Sequence, residues 1–234
     1  MSLAVVNTGG NGATGSDTIT SPSFTTTAGS LIIAVGTVYN TSGSAAGGDF
    51  TDSKGNSYTL ANASLGGTNT VGIEVAYQLG GTRGSSHTIS YNGPGPSTSV
   101  NIAVLEITGH DTSTPFDSST DAFAFDLNAT GGWTVVAGGA ISGNQIAIYV
   151  CVIDTGSTNT WTMPTGYTNV NNHGNGATDL VDCVAYKINE TGTPTVSGLW
   201  GSGTATDACQ FFASFKEAVV TGQIGRPIHD AVVP

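Results

Sequence analysis

The sequence predicts an all-β protein, an antiparallel β-sandwich of jelly-roll type built from two weakly repeated halves. Of its 234 residues, 34 are glycine and only 9% are charged, against about 25% in an ordinary globular domain. Glycine costs backbone entropy inside helices, and the abundant Ser, Thr and Asn compete there for backbone hydrogen bonds. Short apolar runs separated by Gly, Ser, Asn and Pro turns favour the strands of a sandwich.

An internal repeat is the second observation behind this prediction. Five segments of the first half recur in the same order in the second, among them three pairs that read GSLIIAVGTVYN (29–40) with GNQIAIYVCVID (143–154), VGIEVAYQLGG (71–81) with LVDCVAYKINE (180–190), and NIAVLEIT (101–108) with CQFFASFK (209–216). The second pair shares the tripeptide Val-Ala-Tyr. A conserved order of strand-like segments indicates a duplicated β unit. Whether the halves form one sandwich or two stays open at this point.

The repeat divides the chain into four parts. These are an N-terminal arm with the first strand (1–28), a first sandwich half (29–130), a second sandwich half (131–217) and a C-terminal extended arm (218–234). The last part is mildly apolar and falls outside the repeat. A segment of this composition is usually disordered unless another surface holds it. We therefore expect an assembly arm that docks on a neighbouring subunit, with Ile224, Arg226, Pro227, Ile228 and His229 as its contact residues.

Charge excludes two classes of partner. The net charge is −11, and the five basic residues are scattered along the chain. A nucleic-acid-binding protein needs clustered cations that neutralise phosphates, so we expect no direct nucleic-acid contact. The scarcity of basic residues also argues against binding to an anionic membrane surface. No run of 18 apolar residues is present, and MSLAVVNTGG lacks the basic and apolar regions of a signal peptide.

A glycine motif near the N-terminus raises the question of phosphate binding. Gly10, Gly12 and Gly15 have the G-x-G-x-x-G spacing of a dinucleotide fold. That motif works between a buried strand and a helix, whereas here a β-branched segment broken by Pro22 follows. We interpret the segment as a flexible glycine turn.

No catalytic, cofactor-binding or metal site is predicted. The chain has no G-x-S-x-G elbow, its four histidines lie far apart, and its three cysteines fall in apolar runs typical of buried free thiols. Two alternatives are weaker: a glycosidase pair made by Glu74 and Glu106, and a calcium loop with four aspartates in segment 109–128. Trp200, in SGLWGSG, is a candidate for stacking on a glycan.

Edge strands favour self-assembly over an isolated monomer. Isolated sheets protect their edges with lysine or proline, and this chain has three lysines. We expect neighbouring copies to cover the edges, while the negative charge keeps free monomers apart.

Several motifs resemble a known group of proteins. GSLIIAV, DSKGNSYTLA, VAYQ, HTI, AVLEITGHD and PFD form a series similar to β-sandwich proteins encoded by tailed bacteriophages and prophages. The resemblance covers residues 24–120, and the second half only through the repeat. It implies a minor tail, fibre or head-decoration position on the virion, and it transfers no catalytic residue.

The sequence therefore predicts a non-enzymatic structural component of a phage virion exterior. Its partners are copies of itself and other virion proteins, and its location is the virion after synthesis in the host cytoplasm. The alternative function is a lectin-like module that recognises host surface glycan through Trp200.

Overall fold

The computed structural model confirms the prediction of an all-β fold with antiparallel sheets. It describes residues 2–40, 47–65, 70–95, 99–127, 130–154, 161–174, 180–204 and 207–218. Within these ranges no residue is helical. Accordingly, no helix able to cross a membrane is found among them.

Sixteen strands are present in the described residues, eight in each half. The first eight are β1 (Ala4–Thr14), β2 (Thr18–Thr20), β3 (Leu31–Tyr39), β4 (Asp49–Asp52), β5 (Thr59–Leu65), β6 (Val71–Leu79), β7 (Ile89–Asn92) and β8 (Ser99–Thr108). The second eight are β9 (Ala122–Leu127), β10 (Thr130–Val136), β11 (Ile141–Asp154), β12 (Trp161–Thr162), β13 (Thr168–Gly174), β14 (Leu180–Gly192), β15 (Thr195–Thr204) and β16 (Asp207–Lys216).

The two halves have the same strand order. The first contains a five-stranded sheet, β1-β8-β3-β6-β5, and a three-stranded sheet, β2-β7-β4. The second contains β9-β16-β11-β14-β13 and β10-β15-β12. Adding eight to each strand number of the first half reproduces the second half. Each half is therefore a complete two-sheet sandwich with jelly-roll-like order. The chain alternates between its two sheets except at the β5–β6 and β13–β14 pairs, which stay within the large sheets. Strand β9, which the sequence assigns to the first half, pairs with β16 in the second.

Three apolar cores hold four layers of sheet together. One core lies inside each sandwich, between its large and its small sheet. The third lies between the two five-stranded sheets and includes Ile33 and Val35 from β3 together with Ile148 and Val150 from β11. Because the large sheets are covered on both faces, their central strands read as continuous apolar runs, which explains LIIAV and IAIYVCVI.

Polar side chains also connect the two sandwiches. The Thr37 hydroxyl donates to Asp182 Oδ2 at 2.9 Å, in the buried interface. The Thr70 hydroxyl donates to Asp207 Oδ2 at 2.9 Å. Asp182 and Asp207 are 1% and 0% exposed. Since a buried carboxylate is costly without hydrogen-bond donors, these contacts specify how the sandwiches align.

The glycine-rich segment near the N-terminus is a strand, so the prediction of a flexible turn was wrong. Residues Gly9–Ala13 lie in β1 and pair with Val104–Val100 of β8. Strand β1 also contacts β13, and a Cβ added at Gly10 would lie 2.6 Å from Asn171 Cγ. The missing side chain at Gly10 therefore allows the second sandwich to approach β1 closely.

Candidate functional site: an apolar edge strand

Strand β9 carries the most exposed aromatic side chains in the part of the chain described. Phe123 and Phe125 are 54% and 56% exposed. They lie opposite Phe211 and Cys209 of β16, two residues of the core between the large sheets. Since residues directly opposite each other share a sheet face, the two rings lie at the rim of that core. Covering their exposed area contributes about 1–2 kcal/mol each.

The outer edge of β9 is open among the described residues. Within the described ranges, the strand ends its sheet and pairs only with β16. Its sequence, AFAFDL, has Asp126 as its one charged residue and contains neither lysine nor proline, and its register with β16 shows no bulge. Lysine, proline and β-bulges are the usual features that prevent an edge strand from pairing with another chain. We call this edge, with Phe123 and Phe125, the β9 surface.

The counterpart of β9 in the first half is covered on one face. Strand β1 occupies the equivalent place, and β13 lies against it at Gly10, where an added Cβ would meet Asn171. Small residues at Gly9, Gly10 and Gly12 line this strand where β9 has alternating Ala and Phe. The two halves therefore share a topology but differ at this edge, and only the second half presents bulky apolar rings there.

The residues predicted for docking and glycan contact fall largely outside the described ranges. This applies to all five arm residues, Ile224, Arg226, Pro227, Ile228 and His229. Trp200 lies in β15, where its backbone pairs with Trp161, and its side chain is outside the described part. Their contact roles stay predictions.

The two glutamates considered as a glycosidase pair lie far apart. Glu74 is opposite Gly36 in β3, and Glu106 is opposite Ile32 on the other side of the same strand. Four residues along β3 and two strand spacings separate their Cα atoms by about 16 Å. Paired catalytic carboxyls lie about 5–9.5 Å apart, and here the two carboxylates bind different loops, Glu74 at Gly47 and Glu106 at Thr27. Both residues are also buried, at 1% and 0% exposure, so they do not form a pair across a cleft.

Both glutamates instead organise loops of the first sandwich. Glu74 Oε1 accepts hydrogen bonds from the backbone N–H groups of Gly47 and Gly48, at 2.6 and 2.8 Å. Burial raises the pKa of Glu74 and outweighs the lowering effect of these donors. Glu106 accepts from the Asn7 side-chain amide and the Thr27 backbone N–H. Their role is therefore structural.

A carboxylate–imidazole–hydroxyl chain lies inside the first sandwich, and sequence reasoning did not find it. His87 Nε2 lies 2.9 Å from Asp52 Oδ2, and His87 Nδ1 lies 3.0 Å from the Thr26 hydroxyl. The order resembles that of a hydrolase triad. However, the Asp52 and His87 side chains are fully buried and Thr26 is 5% exposed. A substrate cannot reach them, so this hydrogen-bonded network joins the end of β4 to the two loops that carry Thr26 and His87.

The described aspartates of segment 109–128 bind separate hydrogen-bond donors. Asp111 Oδ1 accepts from the Ser113 hydroxyl and from the Ser113 and Thr114 backbone N–H groups, which lowers its pKa to about 2. Asp117 is bound by Ser119 and Gln145, and Asp121 by Asn62. The side chain of Asp126 lies outside the described part. No group of three or more metal-binding residues is found among those described, so the calcium loop considered as an alternative has no assembled ligand set there.

The three cysteines are buried and unbridged. Burial raises the pKa of Cys151, Cys183 and Cys209, which suppresses thiolate chemistry. His110 is 3% exposed, and burial lowers its pKa. All four side chains are therefore buried away from solvent.

Comparisons with known proteins give no relative. No family model matches the chain, and neither a curated protein nor a solved structure does.

Proposed function

We propose that this chain is a non-enzymatic structural component of a tailed-bacteriophage virion exterior, in a head-decoration or tail and fibre position. It acts through contacts between subunits. The observation that carries the proposal is the β9 surface, a strand edge that no other described strand pairs with and that carries two exposed phenylalanines. Such an edge is a template for pairing with another chain, and exposed apolar patches mark interaction surfaces.

Two further features support assembly over catalysis. The acid and histidine clusters that could do chemistry are buried and bound to loops, as at Glu74, Glu106 and the Asp52–His87 pair. Two sandwiches joined through their large sheets present a broad β surface with few charges. The proposed location in a phage virion is based on the resemblance of the strand and turn motifs to phage proteins. An experiment on purified particles tests it.

The experiment is mass spectrometry of virions purified from a host that expresses the gene with its phage. We expect peptides of this chain in the particle fraction. The double variant Phe123→Asp/Phe125→Asp should be depleted from particles at least tenfold, because its edge no longer pairs. Leu60→Asp is the matched control, since Leu60 is 56% exposed on β5, and this variant should be incorporated normally. Absence of the wild-type chain from particles would overturn the virion assignment.

A further inference from the structure

We propose that the β9 surface receives residues 219–234 of a second copy, added to the sheet as an antiparallel strand. This inference rests on the proposed function and names its partner. Strand addition supplies backbone hydrogen bonds to the open edge, and alternate side chains of the added strand cover the exposed rings. Antiparallel addition continues the pattern of the molecule, in which every described strand pair is antiparallel.

The sequence of the arm suits this edge. Ile224, Arg226 and Ile228 alternate, so an extended backbone would place them on one face, the face of Phe123 and Phe125. One isoleucine would then lie directly opposite one phenylalanine, and Arg226 would lie opposite the other, with the second isoleucine as its diagonal neighbour. Backbone groups of these residues would also point to the same edge. Pro227 has the opposite parity, and its missing N–H would face away from β9. A proline on the new outer edge stops further strand addition.

Charge also favours the arm over a second β9 or another acidic surface. The body of the protein accounts for its net charge of −11, so two bodies repel each other. The arm contains one cation, Arg226, and one acid, Asp230. The arm therefore brings no net side-chain charge to the neighbouring molecule. Because it extends from the body, it can contact that neighbour while the two acidic bodies stay apart.

Geometry points to a neighbouring molecule as the acceptor. Ala218, the last described residue, is fixed by a hydrogen bond from its N–H to Gly109 O at 2.8 Å, beyond the end of β16. Strand β9 pairs with the opposite end of β16, where Leu127 meets Asp207. To run antiparallel to its own β9, the arm would first have to travel about 36 Å to that end, which takes about 11 extended residues.

Ile224 and Ile228 would lie within this connecting segment, so they could not pair with β9 of their own molecule in the antiparallel direction. In the same molecule these residues could reach β9 only as a parallel strand, which pairs less stably and is uncommon at an exposed edge. No such restriction applies to the arm of a second copy. The residues best suited to the edge are therefore available to it only from a neighbour.

A complementation experiment with full-length chains tests this directly. The edge variant, Phe123→Asp/Phe125→Asp, keeps its arm but cannot accept a strand. The arm variant, Ile224→Asp/Ile228→Asp, keeps its edge but cannot donate one. We expect each variant alone to be monomeric by analytical ultracentrifugation, and their mixture to form a one-to-one complex. Leu60→Asp should associate as the wild type does.

Direct binding gives the second readout. A synthetic peptide of residues 219–234 should bind the arm variant, and its affinity for the edge variant should be at least about 100-fold weaker. Circular dichroism checks that the edge variant is folded, which we expect because both rings are exposed.

Three outcomes overturn the proposal. The first is failure of the mixed variants to associate when the wild type does. The second is self-association of the arm variant, which would mean that two β9 edges pair with each other. The third is a monomeric wild type whose edge is already blocked to the peptide, which would place the arm on its own body. Incorporation into particles is measured separately, so the virion assignment can survive any of these results.

Discussion

Replacing Asp52 with alanine should reduce the free energy of unfolding by about 4 kcal/mol, because it leaves a buried histidine and several loop donors without an acceptor. Asp52 accepts hydrogen bonds from the Lys54 and Asn56 backbone N–H groups, the Asn56 side-chain amide, the Tyr58 hydroxyl and His87. Chemical denaturation at pH 7 measures the loss. Asp49→Ala is the control in the same strand, since Asp49 is exposed, and should change stability by less than about 0.5 kcal/mol.

The same residue predicts a pH dependence. Burial raises the pKa of Asp52, but the hydrogen bonds from Asn56, His87 and Lys54 more than offset this and leave the pKa below its usual value. A carboxylate with a lowered folded pKa stabilises the protein above its unfolded pKa of about 3.9 and loses that contribution as the pH falls through the folded value. The difference between wild type and Asp52→Ala should therefore shrink below about pH 4. A loss under 1 kcal/mol at pH 7 would contradict this account of the network.

Phe215→Ala should cost about 3–5 kcal/mol, because it opens a cavity in the core between the two sandwiches. Phe215 is 0% exposed in β16. Its ring centroid lies 5.9 Å from that of Tyr77, in the first sandwich, and 5.6 Å from that of Phe116. The wild type should unfold in a single transition, since this core belongs to both halves. Phe123→Ala is the matched control and should cost little, because that ring is 54% exposed. Separate transitions for the two halves would show that they do not share a core.

The repeat and the apolar runs were sufficient to predict the sandwich architecture. Segments 29–40 and 143–154 become the central strands β3 and β11, and their continuous hydrophobicity reflects burial on both faces. The number of sandwiches could not be deduced, because that depends on how strands pair across long separations. Long-range pairing also explains why the glycine-rich segment was not predicted as a strand, since it is a strand because it pairs with β8.

The β9 surface has a recognisable signal in the sequence. AFAFDL alternates small and aromatic residues with the period of a strand, yet its neighbouring aspartates suggested a calcium loop. The Asp52–His87–Thr26 chain had no such signal, because its members come from three segments that only the fold brings together. Local patterns can thus reveal an edge strand, whereas a buried polar network requires the tertiary structure.

Hydrogen exchange at the backbone amides of β9, measured over a range of protein concentrations, tests most directly whether another molecule completes this edge. The account predicts that protection of residues 122–127 rises as the wild-type protein is concentrated, while that of the central strand β11 stays constant. Exchange in β9 that is equally fast, or equally slow, from dilute to concentrated solution would contradict it.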